Sequence, residues 1–195
     1  MNLLIDKLPK KVNNISINSD FRTSILFELL MQDNKINDKD KILLMLNLYY
    51  PESSISKMQN NVENAINNIL WFYKCGKNDE LASKNSSQVN NKRKQIYSYE
   101  FDDQYIYSAF LEQYNIDLNS IKYLHWWKFK SMFNGLKEDT IFVKIMGYRS
   151  IDLNSISDKK QKEFYSKMQK MYALPDERTE EQKENDFANN LSSLF

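Results

Sequence analysis

The fold is decided by an aromatic-rich block, IYSYEFDDQYIYSAFLEQYNIDL (96–118) followed by YLHWWKFKSMFNGL (123–136). In the first half, apolar side chains recur every four residues and give one helical stripe, Ile106, Phe110 and Tyr114. The second half, together with Ile121 just before it, has a broader apolar surface, formed by Ile121, His125, Trp126, Trp127, Phe129 and Phe133. We therefore expect two helices at the centre of the core, the first opened by Asp102 or Asp103 and the second closed by Gly135.

Helical spacing also dominates outside this block. Only three glycines and three prolines interrupt the 195 residues, and apolar residues recur three or four positions apart, which is typical of α-helices. The predicted fold class is all-α, a mostly helical bundle. Its further helices are expected from Asp20 to Met31, Lys41 to Tyr50, Ser54 to Tyr73, Glu138 to Met146 and Asp158 to Tyr172.

Single residues should start and end these helices. Asp20, and either Asn37 or Asp38, can accept hydrogen bonds from the free N–H groups of a first turn, as can Ser157 before the last helix. Gly76 stands where a left-handed cap would end the helix that reaches Tyr73. The first two helices should pack antiparallel. The predicted inward positions are Phe21, Ile25 and Leu29 in the first helix and Phe164, Met168 and Met171 in the last.

The first eighteen residues follow another pattern. Leu3 to Ile5, and then Val12, Ile15 and Ile17, flank the polar pairs Lys10-Lys11 and Asn13-Asn14, and could form a short N-terminal β-hairpin.

Composition divides the chain into four parts. We assign residues 1–76 to an N-terminal helical region with the hairpin, and 96–175 to the aromatic-rich helical core that packs with it. Residues 77–95 are polar, lack aromatic side chains and should form a flexible linker. Residues 176–195 should be an amphipathic or partly disordered tail, which could dock on a partner through Phe187, Leu191, Leu194 and Phe195.

Several classes of function find no support in the sequence. Cys75 is the only cysteine and His125 the only histidine, too few for a zinc site or a disulfide. No phosphate-binding glycine loop or zinc-protease motif is present, and Glu100, Asp102 and Asp103 are explained by helix capping. We expect a protein that is not an enzyme and needs no cofactor or metal.

Charge and hydropathy limit the kinds of partner that we expect. With 27 basic and 26 acidic residues, the chain has no overall field for nucleic acid, and Lys92 to Lys94 are more simply explained as a solvated loop. Apolar runs fall short of the ~20 residues of a membrane span, and the first residues do not form a secretory signal. We therefore expect a soluble protein of the cytoplasm that binds neither membrane nor nucleic acid.

The aromatic block and four other strings resemble one bacteriophage family. The strings are DFR at 20–22, FELL at 27–30, LWFYKCG at 70–76, KIMGYRSIDL at 144–153 and FYSKMQKMYALPD at 164–176. Together with the double tryptophan after His125, they resemble the gene-product-fifteen proteins of phages that infect Gram-positive bacteria.

This resemblance implies a role in tail assembly. Genes of the family commonly lie between those of the major tail protein and the tape measure protein, a position that tail assembly chaperones occupy in long-tailed phages. The expected partners are the tape measure protein, the major tail protein, a shorter tail assembly chaperone and further copies of the chain itself. The protein would act in the host cytoplasm and be absent from the mature virion. Two alternatives are a structural tail or baseplate component and a small nucleic-acid-binding regulator.

Overall fold

The computed structural model describes residues 1–51, 61–77 and 95–175. This part of the chain contains one two-stranded hairpin and seven α-helices, which confirms the mostly helical fold class. The elements are β1 (Lys11–Val12), β2 (Ile15–Ser16), α1 (Phe21–Gln32), α2 (Asp38–Tyr49), α3 (Val62–Tyr73), α4 (Asp103–Tyr114), α5 (Trp126–Asn134), α6 (Ile141–Ser150) and α7 (Lys159–Met171), with a short 3-10 helix, Leu153–Ser155, before α7.

Helix starts follow the capping residues closely. Asp20 accepts a hydrogen bond from the Arg22 N–H at the start of α1, and Asn37 accepts one from the Asp40 N–H at the start of α2. Since a side-chain cap satisfies an otherwise unpaired N–H, the start of α1 was readable from the sequence. For α2 the sequence left Asn37 and Asp38 open as caps, and the helix begins at Asp38 and not at the expected Lys41. α1 and α2 pack against each other as expected.

The N-terminal hairpin is present but smaller than the sequence suggested. Lys11 pairs with Ser16 and Val12 with Ile15, and the turn is made by Asn13 and Asn14. Both asparagines have positive φ, at 48° and 65°, as tight two-residue hairpin turns require. Leu3, Leu4 and Ile5 are exposed and take no part in it.

The predicted inward face of α1 was partly wrong. Phe21 is buried, and Ile25 and Leu29 are half-buried and pack against the core. The other fully buried positions of α1 are Ser24, Phe27 and Leu30. Ser24 can be buried because its hydroxyl accepts a hydrogen bond from the Tyr49 hydroxyl at 2.9 Å inside the core. Hydrophobic spacing alone does not reveal a buried serine.

α3 ends where the sequence indicated. Gly76 has φ +69°, and its N–H donates to the Trp71 carbonyl at 2.9 Å. A side chain there would meet the Trp127 ring, 2.9 Å from an ideal Cβ. The part of this predicted helix between Ser54 and Asn60 lies outside the described residues, as does residue range 78–94 of the predicted linker.

Three helix boundaries in the second half differ from expectation. α5 begins at Trp126 and not near Ile121, because Asp20 and His125 form an isolated antiparallel bridge that holds the preceding backbone extended. α6 begins after Thr140 and continues through Gly147 to Ser150, whereas we expected it to start at Glu138 and end before Gly147. α7 is capped by Asp158, whose side chain accepts from the Gln161 N–H, and not by Ser157.

One hydrophobic core joins the residues before position 76 to the aromatic block. Phe129 is at its centre and stacks on Phe21, with ring centroids 4.8 Å apart, and on Phe110, at 4.9 Å. Of the residues proposed for the core, Ile106, Phe110, His125, Trp126, Trp127, Phe129 and Phe133 are buried, whereas Tyr114 and Ile121 are half-buried. The aromatic block therefore supplies the centre of the molecule.

Candidate functional site

His125 has no ring nitrogen left for catalysis. Its Nδ1 accepts a hydrogen bond from the Trp127 N–H at 3.1 Å and caps α5. The proton of the neutral ring is therefore on Nε2, which donates to the Pro9 carbonyl at 3.0 Å. Burial lowers the pKa of the imidazole, and Lys10 and Lys128 lower it further, against the Pro9 hydrogen bond. The residue is a buried helix cap, and not the mid-helix side chain that spacing suggested.

Asp102 forms a buried ion pair with Arg149. The arginine donates to both carboxylate oxygens, at 2.6 and 2.8 Å, and the two side chains are only 1% and 6% exposed. Arg149 also donates to the Tyr172 carbonyl at 2.6 Å and to the Ile96 carbonyl at 3.1 Å. Asp102 makes no side-chain cap to α4. Helix capping was therefore the wrong explanation for this acid, which links α4, α6 and the end of α7.

The two tryptophans cap the far end of α3. The indole N–H of Trp126 donates to the Tyr73 carbonyl at 2.9 Å, and that of Trp127 donates to the Phe72 carbonyl at 2.7 Å. Carbonyls in the last turn of a helix lack the usual partner four residues on. The Phe72 carbonyl also accepts from the Cys75 N–H at 3.0 Å, and the indole bonds satisfy these carbonyls where the core excludes water. The double tryptophan thus joins the first and second halves of the protein.

Arg22 makes a second such junction, which the sequence did not reveal. Its guanidinium donates to the carbonyls of Leu118 at 2.8 Å and Ile121 at 2.9 Å, and lies over the Phe21 ring. It also contacts Asp20 at 3.2 Å. These bonds fix the loop between α4 and α5 to the start of α1. The bonding pattern could not be predicted because its acceptors are backbone atoms about a hundred residues away.

Burial also determines the chemistry of the Cys75 thiol. Burial raises the pKa of the Cys75 thiol to about 11, so the thiol stays protonated at neutral pH and is a poor nucleophile. Within the described ranges, no group of three or more His, Cys, Asp or Glu side chains is placed to hold a metal ion. None of the helices there has the length and apolar character of a membrane span.

The outer sides of α1 and α2 carry apolar side chains that no core position explains. Leu43 is 58% exposed, and its neighbours Ile42 and Leu44 are exposed too. On α1, Leu26 is 50% exposed. Leu26 lies about 200° around α1 from the buried Ser24, and Leu43 lies about 200° around α2 from the buried Met45. We call the set Leu26, Ile42, Leu43 and Leu44 the outer leucine surface. Three consecutive exposed apolar side chains on α2, with Leu26 exposed on the helix packed against it, favour a site for protein contact.

α7 forms a second exposed surface of mixed character. It has no buried residue, and Phe164 and Met171 are 50% and 59% exposed, so two of its three predicted inward positions were wrong. Its contacts with α6 include the Tyr148 ring against the rings of Phe164 and of Tyr172, which follows the helix, at 6.2 and 6.0 Å. The helix therefore lies on the core without entering it. The proposed docking residues of the tail, Phe187, Leu191, Leu194 and Phe195, lie outside the described residues.

Comparison with known families gives one match, whereas the comparisons with curated proteins and with solved structures give none. The matching family is described as Bacteriophage Gp15 protein, and the match extends over residues 4–174. This range contains the hairpin, all seven described helices, the Asp102–Arg149 pair and both tryptophan caps. The chain belongs to the bacteriophage Gp15 protein family.

Proposed function

We propose that this chain is a non-enzymatic phage tail assembly protein, a chaperone that binds the tape measure protein and aids polymerisation of the tail tube. Membership of a phage protein family supports a role in the phage life cycle. The more specific role rests on the gene order implied by the family resemblance. The expected partners are the tape measure protein, the major tail protein, a shorter tail assembly chaperone and further copies of this chain.

The outer leucine surface is the observation that supports this proposal best. A tape measure protein is long and helical, and its apolar stripes would aggregate before tube subunits cover them. An apolar helix surface can cover such a stripe by helix-to-helix packing. Leu43 and Leu26, exposed on neighbouring helices, are suited to that contact and are not needed for the core.

Co-expression tests the chaperone role. The tape measure protein of the same phage is produced with and without this chain, and its soluble fraction is measured after lysis. We expect the tape measure protein to be largely insoluble alone and soluble, in a complex, when this chain is present. Equal insolubility in both cases, with this chain well folded, would exclude a chaperone acting alone.

A structural tail or baseplate component is the main alternative, and it would remain in the particle. Our proposal places the protein in the host cytoplasm during assembly and outside the finished virion. Quantitative mass spectrometry of purified particles separates the two functions. Only trace amounts relative to the major tail protein are expected, and a fixed stoichiometric amount would favour the structural component.

A further inference from the structure

Residues 1–7, which precede the hairpin, form an apolar arm. Its large apolar side chains, Met1, Leu3, Leu4 and Ile5, are all exposed. Leu4 and Ile5, at 93% and 81%, are the most exposed large apolar side chains among the residues that the structure describes. The core therefore does not account for them, and apolar side chains concentrated in so short a segment favour a contact with another protein surface.

Hydrogen bonds give the apolar arm a defined conformation. The Asn2 N–H donates to the Asp6 carboxylate at 2.7 Å, and the Asn2 side-chain carbonyl accepts from the Leu4 N–H at 2.9 Å. The Asp6 N–H donates to the Asn2 carbonyl at 2.9 Å, which closes a turn. The arm is joined to the core at Pro9, whose carbonyl is bonded to His125. Because the segment is already ordered, it loses less conformational entropy when it binds.

The same protein has a groove of about 500 Å³ between α1, α4 and the residues around the start of α5. We call it the α1–α4 groove. Core side chains and two half-buried residues give it an apolar lining, which comprises Ile25, Tyr99, Ile106, Leu118 and Phe129. Asp103 also lines the groove and is exposed. The groove thus combines an apolar lining with a carboxylate in contact with solvent, which suits an aliphatic segment that carries a cation.

The apolar arm has that chemistry. Leu4 and Ile5 are aliphatic, and Lys7 follows two positions later and is exposed. Neither Lys7 nor Asp103 forms an ion pair with any residue that the structure describes. The exposure of Leu4 and Ile5 shows that the arm does not fill the groove of its own chain. Arm and groove are therefore both available for contact between two copies.

We infer that the apolar arm of one copy docks in the α1–α4 groove of a second copy. Leu4 and Ile5 enter the apolar lining, and Lys7 pairs with Asp103. The inference goes beyond the proposed chaperone role, because it assigns the surfaces through which copies of the chain meet. It needs no tape measure protein, so the co-expression result and the experiments below can fail separately.

Sedimentation velocity of the full-length protein over a concentration series measures this association. Leu4→Asp/Ile5→Asp should weaken it at least about a hundredfold, because two aliphatic side chains are no longer buried on binding. Leu43→Asp places the same charge at an exposed leucine of the outer leucine surface and should leave the association unchanged. A natural chain that stays monomeric at every concentration would overturn the inference. So would an association that Leu43→Asp abolishes and Leu4→Asp/Ile5→Asp does not.

A charge exchange tests the groove itself. Lys7→Glu and Asp103→Lys should each weaken the association about threefold, because an exposed ion pair contributes little. The double variant Lys7→Glu/Asp103→Lys restores opposite charges and should associate like the natural chain. A double variant that associates more weakly than both single variants would rule out the pairing of Lys7 with Asp103.

Photo-cross-linking locates the arm. Benzoylphenylalanine replaces Leu4 in an unlabelled chain, which is mixed with the ¹⁵N-labelled natural chain and irradiated. We expect links from the arm to ¹⁵N peptides that contain Ile106 or Leu118. Links confined to unlabelled peptides would place the arm in its own groove, and links to α2 would place it on the outer leucine surface. Either result, or binding of the arm to phosphatidylcholine vesicles without any link to the groove, would contradict docking between copies.

Discussion

At the scale of single residues, His125 gives the protein a measurable pH dependence. Its pKa is lowered mainly by burial, so the unfolded chain binds the proton more readily than the folded chain. The contribution of His125 to stability is therefore complete above its ordinary pKa and is lost as the pH falls below that value. We expect the free energy of unfolding to decrease from about pH 7.5 to about pH 5.5.

The chain has no other histidine, so one variant tests the assignment. His125→Asn keeps an N-cap acceptor for the Trp127 N–H but cannot titrate in this range. It should be less stable than the natural protein at neutral pH and show a flatter pH profile. Urea unfolding at several pH values measures both. Parallel profiles for the two proteins would show that His125 is not the titrating group.

Asp102 and Asp103 are adjacent acids with very different expected roles. Asp102→Asn leaves the Arg149 charge buried without its partner, and breaking a buried pair in this way costs about 3 to 5 kcal/mol. Asp103→Asn changes an exposed carboxylate and should cost less than about 0.5 kcal/mol. Denaturant unfolding of both variants provides the comparison. Equal and small losses would contradict the linking role of the ion pair.

The sequence revealed residue roles only where they are local. Asp20 and Asn37 act on N–H groups two or three residues away; Asp20 was identified as a cap, and Asn37 was one of two candidates. Asp102 stands just before α4 and was also predicted as a cap, but its partner Arg149 is 47 residues away. His125 was likewise assigned to a buried position, yet its bond to Pro9 crosses the molecule. Distant partners depend on the assembled fold and leave no local signal.

At the scale of elements, two glycines with opposite environments test how the helices end. Gly76 closes α3 with a positive φ and lies against Trp127, so Gly76→Ala should cost at least about 1 to 2 kcal/mol. Gly147 is within α6, and an added Cβ meets nothing within 4 Å. Gly147→Ala should therefore stabilise the protein by about 0.5 to 1 kcal/mol. Thermal unfolding of both variants measures the signs, and a destabilising Gly147→Ala would contradict the continuous α6.

The predicted helix boundaries were wrong where a tertiary contact overrode a local sequence signal. Gly147 was expected to end a helix, but α6 continues past it because Arg149 in the next turn is held by Asp102, Ile96 and Tyr172. The start of α5 was misplaced because the backbone around His125 bonds to Ser19 and Phe21 in place of forming a helical turn. Propensity and spacing describe a helix well only where such contacts are absent.

At the scale of the whole molecule, the tryptophan caps predict one cooperative unfolding transition. Trp126 and Trp127 belong to the second half of the chain but bond to carbonyls of α3 in the first half. Neither half can unfold without exposing the shared core around Phe129. Tryptophan fluorescence and far-UV circular dichroism should therefore report coincident urea transitions. Two separated transitions would contradict the shared core.

The overall class of the molecule was predictable, whereas its surfaces were not. Sparse glycine and proline with helical spacing indicated a helical bundle, which the structure confirms. Exposure of Leu43 and Phe164 could not be predicted, because spacing identifies apolar faces without showing which of them the chain itself covers. The outer leucine surface emerges only when the packing of α1 on α2 is known.

The proposed chaperone role is tested most directly by the solubility of the tape measure protein in the presence of matched surface variants. Leu43→Glu places a charge in the outer leucine surface, and Leu111→Glu places the same charge at an exposed leucine of α4. We predict that the natural chain and Leu111→Glu keep the co-expressed tape measure protein soluble, and that Leu43→Glu, although folded, does not. Equal solubility with Leu43→Glu and Leu111→Glu would contradict the assignment of tape measure binding to this surface.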